Sequence, residues 1–595
     1  MRTCLVVAAL VSVISWTAAE AARPYRGGVV ATAHPYASEA ALSILEKGGN
    51  ATDAAVAAAF MLAVVGPYHS GVGGGGFALV HDAKSGTTDV IDFREVAPAK
   101  ATRDMYVRDG KVVPGLSTDG ALSVAVPGAV RGYLELHAKK GKLPRSVVLA
   151  PAIRAARQGF WVTPKYQAIA SARLECLRRD PEASRLFLRK DAGGAWQVPP
   201  IGTVIKQPEL ANTLQQLAAR GPSAFYEGRI AKAIARTVQE GGGILTEEDL
   251  KKYTVRWREP LEGSYRGHRI LTMPPPSAGG LAIVQVLAAL EKLEPQSPQW
   301  RDPQHVHRMA EAIRRVYVDR AKYLGDPAFV EIPMEKLVSD EAISKLAASI
   351  DPAQATPSVT LLDAGAAATQ STLPSHPGTQ AVPSPEGAPK PKPDAGSTKN
   401  TTHISVIDRT GNALAMTTTV NYGFGSCLVA KGTGVLLNDE MDDFAAQPMV
   451  PNAYGLVTGE ANAIAPGKVP LSSMSPTLVF QKDAPQKVMM AVGSPGGSTI
   501  PTTVLQVISN VIDHDMDIVR AVGAGRIHHQ YMPDRLLVDR YGLEPATRNE
   551  LRKKGHQLQD QTAWGDAEAV YVDPETGLRY AASDPRNEGA GVGQD

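Results

Sequence analysis

Cysteine is scarce, with three in 595 residues, and aromatics make up only 6%. Three cysteines cannot build a disulfide framework. No His/Cys cluster has zinc-ligand spacing, so no metal and no cofactor is expected. Net charge is nearly absent too, at +2. That removes the electrostatic argument for nucleic acid or an anionic membrane as partner. Long hydrophobic runs are missing except at the start, where 5-LVVAALVSVISW-16 follows Arg2. It is too short to span a bilayer. With the small residues of 17-TAAEAA-22 behind it, it reads as a signal peptide over 1–21, which implies export. Periplasmic location is the expected one, with secretion as the alternative. Cys4 would leave with this segment. Cys176 and Cys427 are taken as buried apolar residues, their pairing left open.

What is present is a globular composition, 44% hydrophobic and 21% charged. Residues 27 to about 350 alternate helical and strand-like segments. The stretch 38-SEAALSILEKGG-49 has helical spacing and a glycine stop. The run 54-AAVAAAFMLAVV-65 reads as a buried Ala-rich helix. The segment 86-GTTDVIDFREVAP-98 reads as a strand running into an exposed turn. An amphipathic helix is expected over 229–243, and 246-TEED-249 offers a capping-box start. From 352 to 400 the pattern gives way to Pro, Ala, Ser, Thr and Gly, as in 381-AVPSPEGAPKPKPDAGSTKN-400. This reads as a flexible linker.

The linker stops at Thr401-Thr402. Two alternating runs, 402-THISVID-408 and 413-ALAMTTTV-420, then flank the turn 410-TGN-412, predicting a hairpin. A turn centred on Thr410-Gly411 pairs Thr401 with Val420. A three-residue loop pairs it with Thr419 instead, and the sequence leaves the register open. Thr401 at a new N-terminus would carry its own base, since an α-amine titrates at roughly 7.7–8.0. On the local pattern alone the plainer reading is a strand that begins with a good β-former, and Asn400-Thr401-Thr402 matches a glycosylation sequon.

Other segments carry double readings. The run 71-GVGGGGF-77 lacks the Gly-Lys-Ser/Thr of a phosphate loop and suits a tight backbone approach. Gly496 and Gly497 suit either an oxyanion hole at a helix start or a plain strand-to-helix turn. The charged 92-DFRE-95 and 437-LNDEMDDF-444 suit a zwitterionic ligand or surface ion pairs.

In this order, these segments resemble the γ-glutamyltransferases, members of the N-terminal-nucleophile hydrolases. The resemblance runs through 48-GGNATDAAVA-57, 73-GGGGF-77, 91-IDFREVAPAKATRDM-105, 273-MPPPSAGG-280, 325-GDP-327, 400-NTTHISVID-408, 437-LNDEMDDF-444, 470-PLSSMSPT-477, 493-GSPGGS-498 and 583-SDPR-586. It implies an α+β fold, a four-layer αββα sandwich built from large and small subunits of one precursor. The boundaries would be 22–400 and 401–595, giving a heterodimer. Thr401 is implied as the nucleophile that cuts the Asn400–Thr401 bond and then cleaves γ-glutamyl amides such as glutathione, with water or an amino acid or dipeptide as acceptor. Thr419 would hydrogen-bond it, and Gly496 and Gly497 would hold the oxyanion. Arg94, Ser472 and Ser473 would bind the substrate α-carboxylate; Asp443, Glu440 and Asn421 would bind its ammonium. Tyr454 would lie in a lid. The chain departs from the family pattern in its long Pro-rich tract, in Glu440 where Gln also occurs, and in Cys427 where a small residue such as Gly is expected.

Overall fold

The computed structural model describes residues 23–294, 296–361, 400–448, 450, 456–540, 542–562 and 564–595. The expected signal segment, most of the linker and the lid residue Tyr454 lie outside these. No helix among the described residues is long and apolar enough to cross a membrane.

The N-terminal motifs make two packed helices, α1 (Pro35–Glu46) and α2 (Ala51–Val65). Asn50 caps α2 by accepting from the Asp53 amide, while the Asp53 carboxylate accepts from the Asn50 amide. Such a reciprocal cap stabilises a helix start by about 1 kcal/mol. Every residue of α2 is buried, so its apolar character runs all round. Its alanines let neighbouring elements approach closely.

Thirteen strands form two antiparallel sheets. In chain order they are β1 (Val29–Thr32), β2 (Gly75–Asp82), β3 (Thr87–Asp92), β4 (Arg256–Arg258), β5 (Leu261–Tyr265) and β6 (His268–Thr272). After the linker come β7 (Thr402–Ile407), β8 (Ala413–Thr419), β9 (Thr477–Phe480) and β10 (Val488–Gly493). The last are β11 (Glu568–Val572), β12 (Arg579–Ser583) and β13 (Ala590–Gly593). The first sheet runs β4-β3-β2-β8-β7-β1-β13 and the second β5-β6-β9-β10-β11-β12. Strands from before and after residue 400 share both sheets.

Three apolar cores follow. Side chains of α1 and α2 pack with Val30, Ala78, Ile404 and Leu414 of the first sheet. Phe77, Leu79, Ala415, Leu478 and Ala491 form a core from residues of both sheets. Ile270, Val479 and Met490 of the second sheet pack with helices α3 (Gly279–Leu293), α4 (Pro303–Tyr323) and α5 (Ile500–His514). Alternation along β7 sends Ile404 and Val406 to the helices, while His403 and Ser405 reach the second sheet.

His403 bonds Thr417 Oγ1 at 2.8 Å and Ser405 Oγ at 3.0 Å. Burial pushes its imidazole down to about 3, so it stays neutral. A Cβ on Gly493 would stand 2.2 Å from the His403 ring. Gly493→Ala is therefore expected to cost about 1–3 kcal/mol by overpacking between the sheets, read as a lower urea midpoint at unchanged slope.

The hairpin takes the three-residue-loop register. Thr402 pairs with Thr418 and Ile407 with Ala413, so Thr401 falls beside Thr419. The Asp408 carboxylate sets the loop by accepting from the amides of Thr410 and Asn412 at 2.8 and 3.1 Å. The expected glycine approach is also present. A Cβ on Gly73 would meet Leu436 O at 2.1 Å, and one on Gly74 would meet Thr419 O at 1.9 Å.

Three expectations are corrected. Cys176 and Cys427 are buried, but they form a disulfide rather than two apolar thiols. The turn after β3 is not exposed: Phe93, Arg94 and Glu95 are buried. The linker does not begin at 352. Ser358 is fully buried, its amide donates to Asp534 at 2.7 Å, and its hydroxyl accepts from Arg314 at 2.7 Å.

Candidate active site

Thr401 is 5% exposed, as is Asn400 before it. The hydroxyls of Thr401 and Thr419 lie 3.2 Å apart. Thr419 donates to the Asn400 carbonyl at 3.1 Å and accepts from the Asn421 amide at 2.8 Å. A hydroxyl has one proton and two lone pairs. With that proton on Asn400, Thr401 must be the donor toward Thr419. One side chain thus orients the Thr401 oxygen and polarises the carbonyl next to it.

A cavity of about 20 Å³ adjoins Thr401, room for little more than one water. Thr401, Thr419, Asn421 and Gly497 line one part of it. Arg94, Glu440, Asp443, Ser472 and Ser473 line the rest. Gly496 lies in a neighbouring cavity of about 230 Å³, together with Asn400, His69 and Lys165. Nine of the expected site residues therefore meet in one pocket and the tenth adjoins it; Tyr454 is outside the described residues.

The charged half is unusual. Arg94 follows β3 and forms ion pairs with Glu440 and Asp443, with Glu95 3.7 Å away. Burial opposes its charge, but these carboxyls overcome that and hold the guanidinium more basic than usual. One cation cannot stabilise three carboxylates in a dry site. Burial and the nearby Glu440 raise Glu95 well above the carboxylate range, against the pull of Arg94. Burial likewise pushes Glu440 up to about 8, with Arg94 opposing and Asp443 adding to it. Both carboxyls are thereby biased toward the protonated form.

A raised carboxyl contributes stability that is fully present below its unfolded value of about 4.5 and is lost as pH rises through the folded value, about 8. Gln copies the protonated state. The urea midpoint of Glu440→Gln is expected to match that of wild type below about pH 7 and to exceed it above about pH 8, where the wild-type carboxyl loses its proton. Parallel midpoints from about pH 6 to 9 would refute the assigned proton.

The loops are held by buried amides. Asn438 donates to Gly73 O and Ala125 O at 2.8 and 3.0 Å and accepts from the Glu440 amide at 3.0 Å. Asn462 donates to Asp443 O at 2.7 Å and accepts from the Leu471 amide at 3.0 Å, so one residue joins the acidic turn to the Ser472-Ser473 loop. The Ser472 amide and carbonyl bond Pro276 O and the Ala278 amide. Between β10 and α5, Gly496 and Gly497 have φ of +132° and +59°, favoured by glycine.

The sequence reading missed Glu95, Asn438, Asn462 and Arg320. Arg320 lines the same cavity from α4, and its Nε and Nη1 have no partner among the described residues. Burial lowers its basicity, against the pull of Tyr317 and Asp443. Its only sequence signal was its place five residues before 325-GDP-327.

The Gamma-glutamyltranspeptidase family model matches residues 37–594. The glutathione hydrolase proenzyme of Escherichia coli (strain K12) is 40% identical over 564 residues, covering 94% of this chain and 90% of that one. The crystal structure of cephalosporin acylase from Bacillus halodurans superposes with TM-score 0.80 at 25% identity, covering 99% of this chain and all of that one. That of Helicobacter pylori gamma-glutamyltranspeptidase superposes with TM-score 0.52 at 39% identity, covering 55% and 92%. The chain belongs to the gamma-glutamyltranspeptidase family of enzymes.

Proposed function

We propose that the chain is a self-processing γ-glutamyltransferase and glutathione hydrolase. One observation carries this most: Thr401 and Thr419 share a pocket with Arg94 and Asp443, while the Asn400 carbonyl accepts from Thr419. The Thr401 hydroxyl attacks that carbonyl, and hydrolysis of the resulting ester frees the Thr401 amine. The free amine takes the hydroxyl proton in each later attack.

The substrate is a γ-glutamyl amide such as glutathione. Arg94 leaves its internal partners and binds the α-carboxylate, helped by Ser472 and Ser473. Asp443, Glu440 and Asn421 take the ammonium. Attack of Thr401 on the γ-carbonyl places the oxyanion against the amides of Gly496 and Gly497, each worth about 3–4 kcal/mol of barrier. The amine departs, leaving a γ-glutamyl ester on Thr401. Water gives glutamate; an amino acid or dipeptide gives a new γ-glutamyl compound.

The three stacked cores support a four-layer αββα sandwich of the N-terminal-nucleophile type, shared by a large subunit (22–400) and a small one (401–595). The N-terminal segment supports export to the periplasm.

The cephalosporin acylase likeness favours a second reading, an amidohydrolase with the same nucleophile and another acyl group. A glutaryl-type acyl group has no ammonium, so Asp443 beside Arg94 would serve nothing. Intact mass after denaturation in dithiothreitol, with N-terminal sequencing, tests the first reading. It expects two chains, the smaller beginning Thr-Thr-His-Ile-Ser, that hydrolyse a γ-glutamyl anilide in preference to a glutaryl anilide. A lasting single chain, or the reverse preference, would overturn it.

A further inference from the structure

Cys176 and Cys427 stand on opposite sides of the Asn400–Thr401 bond, 251 residues apart, and are joined by a disulfide. We propose that this disulfide is a covalent cross-link between the two chains left by processing, and that it holds the loop carrying Asn421 against the pocket. The first half rests on the processing described under Proposed function.

The loop 421–427 is an unfavourable shape for its own residues. Asn421, Phe424 and Cys427 have φ of +77°, +61° and +61°. An L-residue in this region loses about 1–2 kcal/mol relative to glycine. Three such residues within seven persist only where the surroundings over-determine them. Asp439 and Leu437 hold Tyr422 and Ser426 from the C-terminal side of the cut, and the remaining anchors come from its N-terminal side. Phe424 packs among the rings of Tyr68, Tyr166 and Phe187. Arg173 donates to Gly423 O at 3.0 Å and to Gly425 O at 2.9 Å, and pairs with Asp119 at 2.9 Å. The same guanidinium lies 3.3 Å from both sulfurs.

The disulfide adds the one covalent anchor. It explains a cysteine at a left-handed position: its side chain offsets the backbone cost. At the other end of the loop, Asn421 lines the pocket and its amide donates to Thr419. A slack loop therefore loosens Asn421 at the ammonium side of the pocket, which weakens substrate binding more than the chemical step.

Formation is a thiol–disulfide exchange. Two cysteine thiols pass two electrons and two protons to a small or protein disulfide, which leaves as two thiols. Once formed, the bond is shielded, with Cys176 6% and Cys427 1% exposed. Thiols released from a glutathione-like substrate would reach it slowly.

Purified wild type is expected to run as one species of full mass without reductant and as two after denaturation in dithiothreitol. Two species without reductant would overturn the cross-link. The loop is tested in a Cys176→Ala background. There Cys427→Ala should raise KM about fivefold, a 1 kcal/mol effect, with kcat within about twofold. Cys427→Gly, which suits the left-handed backbone, should restore KM. Equal KM in both variants would overturn the positioning role. If the reduced sample also stays one species, the processing reading has failed instead. Hydrogen exchange over 421–427 then still decides: faster exchange on reduction upholds the loop anchor, and no change refutes it.

Discussion

Thr401→Ala is expected to give one uncut chain with no measurable γ-glutamyl transfer, a loss of at least about 10⁴-fold. Thr419 already spends its single proton on the Asn400 carbonyl, and its accepting side faces Thr401 and the Asn421 amide. Nothing else in this arrangement supplies a nucleophilic oxygen. Removing it takes away the cut, and with it the amine that later serves as base. Thr401→Ser keeps the oxygen and should still be cut, more slowly, because loss of the methyl frees the rotamer. Intact mass of reduced, denatured samples over several days, followed by anilide turnover of the native protein, reads both steps. Normal cleavage of Thr401→Ala would transfer the cut to some other group.

The second large effect is expected at the clamp. Asp443→Asn should lower kcat/KM for γ-glutamyl substrates by about 10²–10³-fold. Breaking one partner of a buried charge pair costs about 3–5 kcal/mol, and Asn supplies no charge for an ammonium. Arg94→Lys should lose a similar amount, since a point charge cannot reproduce the fork that pairs with Glu440 and Asp443. Both variants should still be cut at Asn400–Thr401, because neither side chain touches that carbonyl. This separates the clamp from the nucleophile: mass spectrometry after reduction should show two chains in each, with turnover lost. Unchanged turnover in Asp443→Asn would remove the ammonium role and return weight to the acylase reading.

Much of this site was legible because its signals are local. The alternating runs around Thr410-Gly411 predicted the β7–β8 hairpin, and the cap at Thr246 was readable in 246-TEED-249. The register was not, because two loop lengths fit the same turn residues. The Asp408 carboxylate that chooses between them acts through loop amides. The disulfide was hidden for another reason. No spacing rule connects Cys176 to Cys427; the fold alone brings their Cα atoms to 5.9 Å. Arg320 and Asn462 were passed over because each looks ordinary in its own segment and matters only where segments from both halves converge. The order of strands was equally out of reach. β1 lies between β7 and β13, both of which come from the chain after residue 400.

The two ends of the described chain lie together. Arg23 pairs with Asp595 at 2.9 Å, and Tyr25 exchanges backbone hydrogen bonds with Arg579. A short bridge can therefore join residue 595 to residue 23 without disturbing either sheet. Opening the circle at Thr401 would give a gene that reads 401–595 first and 23–400 second. Its product would display the threonine amine once the initiator methionine was trimmed, with no peptide bond to cut. Such a permuted chain would divide the precursor's two tasks, leaving turnover intact and maturation unnecessary.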